Sequence, residues 1–154
     1  MKKVIYLLLT ATLMSNAACA QKISAGKVPA AVLSAFKTKF PISTKTSWEM
    51  ENANNYEAGF KQNDEEVSAN FDHTGKWLET ETELKVSALP TTVQAALAKD
   101  FADFRIEEAS KIESLKYGIC FEAEIEKGEA TFDVLFKSDG KMLSKTKIEK
   151  KKKK

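Results

Sequence analysis

The stretch Val28-Pro29-Ala30-Ala31-Val32 decides the fold, because Leu89-Pro90-Thr91-Thr92-Val93 repeats it 61 residues later. Under the same shift Phe40 falls on Phe101, so apolar residues meet apolar residues and proline meets proline. Repeat arrays usually have at least three copies and a period of roughly 20 to 50 residues. Two copies at this longer spacing therefore predict a duplicated domain rather than a solenoid.

The alignment continues through both copies. The shift of 61 places Tyr56, Ala58 and Phe60 on Tyr117, Ile119 and Phe121. After a longer hairpin in the second copy, a shift of 65 places Ala69, Phe71, Gly75, Lys76 and Leu78 on Val134, Phe136, Gly140, Lys141 and Leu143. The predicted division is a signal peptide (1–20), a linker (21–27), a first repeat (28–86), a second repeat (87–149) and a lysine tail (150–154).

Each copy begins with a pattern typical of a short amphipathic helix. In the first copy apolar residues recur every four positions from Val28 to Phe40, Pro29 suits the first turn and Pro41 ends the helix. The second helix is predicted from Pro90 to Phe101. Alternating segments then predict strands at Thr44–Met50, Tyr56–Gln62, Val67–Asp72 and Trp77–Leu84, with counterparts in the second copy. The predicted fold class is α+β, with two tandem repeats that each have a helix followed by a four-stranded antiparallel meander. The helices are expected to pack on one face of the sheet.

The first twenty residues have the pattern of a secretory signal. Lys2 and Lys3 precede an apolar stretch, and Ala18-Cys19-Ala20 is a small-residue cleavage site. The apolar stretch is too short for a spanning helix. The pattern predicts a periplasmic or secreted protein, cleaved after Ala20, with no transmembrane segment in the mature chain. The alternative is a lipoprotein anchored through Cys19, although Asn16 stands where such signals carry leucine.

Charge and cysteine content limit the function classes. The formal net charge is +2, and removing Lys2 and Lys3 gives 0, while also setting aside the five lysines Lys150–Lys154 gives −5. An acidic folded part would repel phosphates, so nucleic acid is not an expected partner. The lysine run is a solvated end or a contact for anionic lipid or polymer. Cleavage would leave Cys120 without an intramolecular partner, and a strand cysteine is typically an inert small hydrophobe, with a dimer bridge or reactive thiol as alternatives.

Several parts of the sequence resemble the PepSY-like family, whose fold is also called beta-lactamase-inhibitor-like. They are the two repeated stretches at 28–32 and 89–93, the strand Tyr56-Glu57-Ala58-Gly59-Phe60, and the segment Phe71-Asp72-His73-Thr74-Gly75-Lys76-Trp77-Leu78-Glu79-Thr80-Glu81. The second copy departs from this pattern at Met142-Leu143-Ser144, where the first has Trp77-Leu78-Glu79. The resemblance implies an exported bacterial protein with two helix-plus-meander halves and a sheet whose free face binds. It implies no particular partner.

The sequence offers little for catalysis, so an enzyme is not expected and no cofactor is predicted. His73 is the only histidine and lies in a predicted turn, which favours a structural role. One histidine and one retained cysteine cannot build a typical zinc site. The chain lacks a glycine-rich phosphate loop, a nucleophile elbow and an HExxH motif.

Carboxylates and two apolar residues are the candidate partner-binding residues. Glu79 and Glu81 alternate along one predicted strand, as Glu122 and Glu124 do along another, so each pair lies on one strand face. These acids form either a solvated face that prevents edge aggregation or a docking surface for a basic protein patch or a cation. By alternation Trp77 shares the face of Glu79, and its repeat counterpart Met142 is also expected to point outward. Both are interface anchors, or are covered by the other half or by a dimer mate.

These features predict an exported, non-enzymatic binding module that recognises a protein or peptide of the cell envelope with its open sheet face. The family resemblance implies an inhibitor-like action towards an envelope hydrolase. The alternative function is an envelope sensor or carrier of a small ligand or cation that uses the same carboxylates. The oligomeric state is left open.

Overall fold

The computed structural model describes residues 21–148, which form one antiparallel sheet and two helices. The nine strands lie in the sheet in the order in which they occur in the chain. They are β1 (Gln21–Ile23), β2 (Thr44–Asn52), β3 (Asn55–Gln62), β4 (Glu65–Asp72), β5 (Trp77–Leu84), β6 (Arg105–Ser114), β7 (Gly118–Lys127), β8 (Ala130–Lys137) and β9 (Met142–Ile148). The helices are α1 (Ala30–Lys39) and α2 (Thr91–Asp100), and 3-10 turns cover Ala25–Lys27 and Val86–Ala88. The α+β class with a nine-stranded antiparallel sheet is thereby established.

The helices begin and end where the prolines and aromatic residues predict. Pro29 and Pro90 are the residues just before α1 and α2, since proline lacks the N–H that an intrahelical bond would need. At the other end of α1, the N–H of Phe40 donates to the carbonyl of Phe36 at 2.8 Å. The signal-peptide and tail predictions concern residues outside 21–148.

Segment 21–27, which the sequence assigns to a linker, contains a strand. Gln21 pairs with Met50 and Ile23 with Trp48, so β1 extends the sheet beyond β2. Ile23 also packs against the core beneath α1. Three residues are too few to produce a visible alternation, which is why the sequence pattern did not indicate this strand.

Both helices lie on the same face of the sheet. Buried Ala58 of β3 pairs with buried Ala69 of β4, which in turn pairs with Thr80 of β5. Leu84 lies on the same side of β5 as Thr80 and pairs with buried Ala109 of β6. Residues paired across an antiparallel ladder point to the same side. α1 buries Val32 and Phe36 against β2, β3 and β4, and α2 buries Val93 and Leu97 against β6, β7 and β8. The opposite sheet face is left uncovered by helices.

The predicted register of β7 is wrong by four residues. Ile119, expected to match buried Ala58, is 51% exposed, whereas Ala123 is fully buried and pairs with Val134. The extra residues lie in the hairpin between β6 and β7, one hairpin earlier than the sequence suggests. Tyrosine and phenylalanine at 117 and 121 imitate the first-copy pattern, so periodicity alone could not locate the insertion.

Candidate functional site: the acidic face

The sheet face opposite the helices carries most of the strand carboxylates, and we call it the acidic face. Ladder pairs place Glu49 beside Glu57, Asn70 beside Glu79, and Glu124 beside Asp133. Its carboxylates include Glu49, Glu51, Glu57, Glu66, Glu79, Glu81, Glu83, Glu108, Glu122, Glu124, Glu126 and Asp133. These residues alternate along the strands with the residues of the helix-covered core.

Several of these carboxylates are buried although no helix covers them. Glu57 is 2% exposed, and Glu122 and Asp133 are each 6% exposed. Side chains on a flat, uncovered sheet would reach solvent, and charged residues are rarely this buried without a partner. The side chains of neighbouring strands therefore shield one another on this face.

Burial and mutual repulsion raise the pKa of these acids. Desolvation is the larger cause at Glu57, where it combines with the negative charges of neighbouring glutamates to raise the pKa to about 8. Burial raises the pKa of Glu51, Glu81 and Asp133 to about 7, and that of Glu122 well above its usual range. The acidic face consequently shares protons among its carboxyl groups at neutral pH.

Two buried acceptor atoms in this face lack a hydrogen-bond donor within the described residues. They are Glu57 Oε2 and Asn70 Oδ1, on residues paired across β3 and β4. The Asn70 amide nitrogen donates to Glu79 Oε1 at 3.3 Å, which fixes the Asn70 side chain on the acidic face. The Ser68 hydroxyl donates to the Glu57 carboxyl. An unpaired buried acceptor costs free energy, so these atoms mark a place where a donor is expected.

An apolar patch lies beside the acids on the same face. Ile112, Cys120 and Leu135 are buried together, with Tyr117 and Leu143 packed against them. Ile112 pairs with Glu81, which places the patch directly next to the carboxylates. Burial raises the pKa of the Cys120 thiol to about 11, so the sulfur stays protonated and unreactive. The face thus combines buried acids with a small apolar surface.

The sequence profile of the family described as "Putative beta-lactamase-inhibitor-like, PepSY-like" matches residues 15–68 and 54–144. The chain belongs to this PepSY-like family. No functionally curated protein matches it.

Solved structures share the fold of this PepSY-like chain. A "putative periplasmic" protein from Bacteroides eggerthii has a TM-score of 0.73 at 20% identity, with 80% of this chain and 91% of that chain covered. A DUF2874 family protein from Bacteroides ovatus gives 0.71 at 21% identity, covering 77% and 86%. A BLIP-like protein from Bacteroides fragilis gives 0.70 at 24% identity, covering 82% and 92%.

The structure of this PepSY-like chain brings four of the six predicted site residues together. Glu79, Glu81, Glu122 and Glu124 all lie on the acidic face. The interpretation of these acids as a solvated surface is wrong for Glu122 and Glu124, which are buried. Alternation predicts which face a side chain takes, but its burial depends on the side chains that neighbouring strands place around it.

Trp77 lies on the helix side, contrary to the prediction. Asn70 pairs with Glu79, but the next residue of β4, Phe71, pairs with Trp77 rather than Leu78. Leu78 is therefore the extra residue of a β-bulge. The indole packs against the core beneath α1, with Lys39 Nζ 4.0 Å from a ring centroid, and its Nε1 donates to Thr80 Oγ1 at 2.9 Å. Counting alternate residues fails here because a bulge reverses the face.

Met142 is displaced by the same irregularity in the second half. It pairs with Phe136 next to a register shift, which places it on the helix side, where it is 48% exposed. Leu143 instead packs against the apolar patch of the acidic face. Trp77 and Met142 are therefore not on the same face as the four glutamates.

The acidic face also includes residues that the sequence interpretation missed, namely Glu51, Glu57, Asn70 and Asp133. Their signal was present, since Glu57 separates Tyr56 from Ala58 and Asp133 separates Phe132 from Val134. Isolated acids between core residues form a weaker sequence pattern than the alternating acids at 79–83 and 122–126.

Other site types find little support in residues 21–148. No three histidine, cysteine or acidic side chains are arranged there to hold a metal ion. His73 lies in the turn between β4 and β5, where its backbone N–H donates to the carbonyl of Asn54 at 2.8 Å. Within the same range neither helix has the length and apolar character needed to cross a bilayer.

Proposed function

We propose that this protein is an exported, non-enzymatic binding module that holds a protein or peptide on its acidic face. The observation that carries the proposal is the acidic face itself, where two buried acceptors lack donors within residues 21–148 and lie on the same side as an apolar patch. Interfaces combine an apolar centre with a few well-placed polar groups. The face is built on continuous β-ladders, so it can bind with little backbone rearrangement.

The family description supports an inhibitor-like mode of action. In such a mode the acidic face would cover a partner's site sterically, and the partner would be an envelope protein, for example a hydrolase. The B. fragilis neighbour is described as BLIP-like, and that likeness motivates the proposal for this chain. Export rests on the pattern of residues 1–20, with cleavage after Ala20, and on the periplasmic description of the B. eggerthii neighbour.

We further infer that residues 28–86 and 87–149 are two copies of one helix-plus-meander unit. The support is the element order, in which α1 precedes β2 to β5 and α2 precedes β6 to β9. Matched glycines give a second reason: Gly75 and Gly140 have φ of +86° and +84° and each approaches the first turn of its helix. Expressing each half alone tests the idea, since a cooperative unfolding transition is expected from at least one half.

Affinity capture from an envelope extract tests the binding function. The bait is the chain from 21 to 149, and the loss variant combines Glu79→Gln with Glu81→Gln, substitutions that preserve side-chain size. The matched control combines Glu65→Gln with Glu113→Gln, which make the same charge change at exposed positions on the helix side of the sheet. We expect a captured protein to be absent with the loss variant and kept with the control. Retention by both variants would move the binding surface away from the acidic face.

A second candidate function is a sensor or carrier of a small ligand or cation. The carboxylates that share the acidic face favour a positively charged ligand, although no three of them within residues 21–148 are arranged to hold a metal ion. Calorimetry with divalent cations separates the two functions, because a carrier should bind a cation without any protein partner.

A further inference from the structure

The pair Glu57 and Asn70 presents an unusual chemical situation. Glu57 is 2% and Asn70 8% exposed, they are Cα partners across β3 and β4, and each has one buried oxygen without a donor. Directly paired residues bring their Cβ atoms within about 5.5 Å. The two acceptor oxygens thus belong to neighbouring side chains that solvent barely reaches.

Negative charge surrounds this pair from every adjoining strand. β2 contributes Glu49 and Glu51, and β5 contributes Glu79 and Glu81, while β4 contributes the neutral Ser68. The ion pairs found among residues 21–148 join Lys61 to Glu66, Arg105 to Glu107 and Glu126, and Lys127 to Asp103. Their acidic partners do not include Glu51, Glu57, Glu79 or Glu81. Lys61 lies on the same face of β3 as Glu57, but its ion pair is with Glu66, so none of the ion pairs found within residues 21–148 neutralises these four acids.

A proton, a metal ion or an organic cation could satisfy the two oxygens. A proton on Glu57 supplies a single hydrogen-bond donor, whereas the carboxyl group and the amide oxygen together have several acceptor lone pairs. A metal ion is disfavoured, because no group of three ligating side chains within residues 21–148 is arranged for one. An ammonium or guanidinium group supplies three to five N–H donors and a compensating positive charge.

We propose that Glu57, Asn70 and Glu79 form a receptor site for a basic side chain, a lysine or arginine of a bound peptide segment. The inference rests on the proposed binding function and names the chemistry of its partner. The apolar patch at Ile112, which pairs with Glu81, would take the aliphatic or apolar neighbours of that side chain. Arginine is the better fit, since its planar fork can donate to a carboxylate and an amide oxygen together.

Binding of a basic side chain at this site should release a proton from Glu57. Burial raises the pKa of Glu57 to about 8, so the empty site holds a proton at pH 7. A bound cation favours the carboxylate, and the proton leaves to the buffer as the ion pair forms. Binding should therefore tighten from pH 6 to pH 8.

The test is titration calorimetry of the chain from 21 to 154. The probe is an acetylated, amidated peptide Ala-Leu-Arg-Leu-Ala, and the control peptide has citrulline in place of arginine. Buffers with different ionisation enthalpies report the protons released. We expect the arginine peptide to bind at least tenfold more tightly than the citrulline peptide at pH 8, and to release a fraction of a proton at pH 7.

Matched variants locate the effect. Glu57→Gln removes the ionisable group at constant size and should weaken arginine binding about tenfold and abolish proton release. Glu65→Gln makes the same charge change at an exposed position of β4 and should change affinity less than twofold. Equal losses in both variants would reduce the effect to general electrostatic attraction and overturn the site. Equal binding of both peptides, or of neither, would overturn the basic receptor, while capture of a protein in the preceding experiment would still uphold the binding module.

Discussion

Gly75 approaches Ala31 so closely that no other residue fits in its place. A Cβ atom built on Gly75 would lie 2.6 Å from the Ala31 carbonyl oxygen, and φ at this glycine is +86°. Gly140 stands in the same relation to Thr92, at 2.6 Å and +84°. The turn before β5 and the turn before β9 thus each pack against the first turn of a helix. Thr92 also donates through Oγ1 to the carbonyl of Ser138 at 2.6 Å, which ties α2 to its turn.

Gly75→Ala should lower the free energy of unfolding by about 3 kcal/mol. The left-handed conformation accounts for about 1–2 kcal/mol, and displacement of the helix backbone adds the remainder. Urea denaturation measures the loss. Gly118→Ala is the matched control, since Gly118 also has positive φ but has nothing within 4 Å of an added Cβ, so only the conformational cost is expected. Equal losses at both positions would mean that the turn moves away from α1 at little cost.

The protein should be more stable at mildly acidic pH than at pH 8. The folded-state pKa of Glu57 is raised from 4.5 to about 8, so folding takes up a proton between these values. Its stabilisation is complete below pH 4.5 and is lost as the pH rises through 8. Glu51, Glu81 and Asp133, with pKa values raised to about 7, act in the same direction.

Glu57→Gln tests this pH dependence, because glutamine resembles the protonated acid. It should raise stability at pH 8 by about 2 kcal/mol and change it little at pH 5. Thermal unfolding at both pH values gives the difference, with Glu65→Gln as the exposed control. A Glu57→Gln effect that is independent of pH would contradict a buried, protonated Glu57.

Trp77→Ala should destabilise the fold by about 2–3 kcal/mol. The substitution removes indole packing against the α1 core, the hydrogen bond to Thr80 and the Lys39 contact. Chemical denaturation measures the loss, and Trp77→Phe should restore part of the stability because it keeps a ring. An unchanged unfolding midpoint for Trp77→Ala would instead favour the solvent-facing orientation that alternation predicts.

Cys120 should resist thiol reagents in the folded state. It is buried, and its raised pKa keeps the thiol protonated. In a chain that begins at Gln21, where Cys120 is the only cysteine, we expect labelling by a chromogenic disulfide to be at least a hundredfold slower in buffer than in denaturant. Fast labelling of the folded chain would show that the apolar patch opens readily.

Much of the fold follows from local patterns. The four-residue spacing of Val28, Val32, Phe36 and Phe40 predicted α1. Strands β2 to β5 were predicted within two residues of their observed ends. These predictions succeeded because helix and strand periods are properties of neighbouring residues. Strand β1 was not predicted, because three residues are too few to show a period. The register of β7 was predicted wrongly, because it depends on the position of an insertion.

The candidate site was only half predictable. Glu79, Glu81, Glu122 and Glu124 were placed on one face because alternation is regular along most of each strand. Trp77 and Met142 were placed on the wrong face because one extra residue in β5 and one in β9 reverse the alternation. A bulge leaves no clear mark in composition, so only the hydrogen-bonded register reveals it.

The sequence by itself determined the helix-and-strand order from α1 onward, most of the apolar core and the concentration of acids on alternate strand positions, because each is encoded by nearby residues. Only the tertiary structure decided that these acids are buried, that Glu57 faces Asn70 and that both have oxygens without donors. Burial and pKa depend on which side chains the other strands place around each acid. That arrangement is a collective property of the sheet, which no single segment specifies.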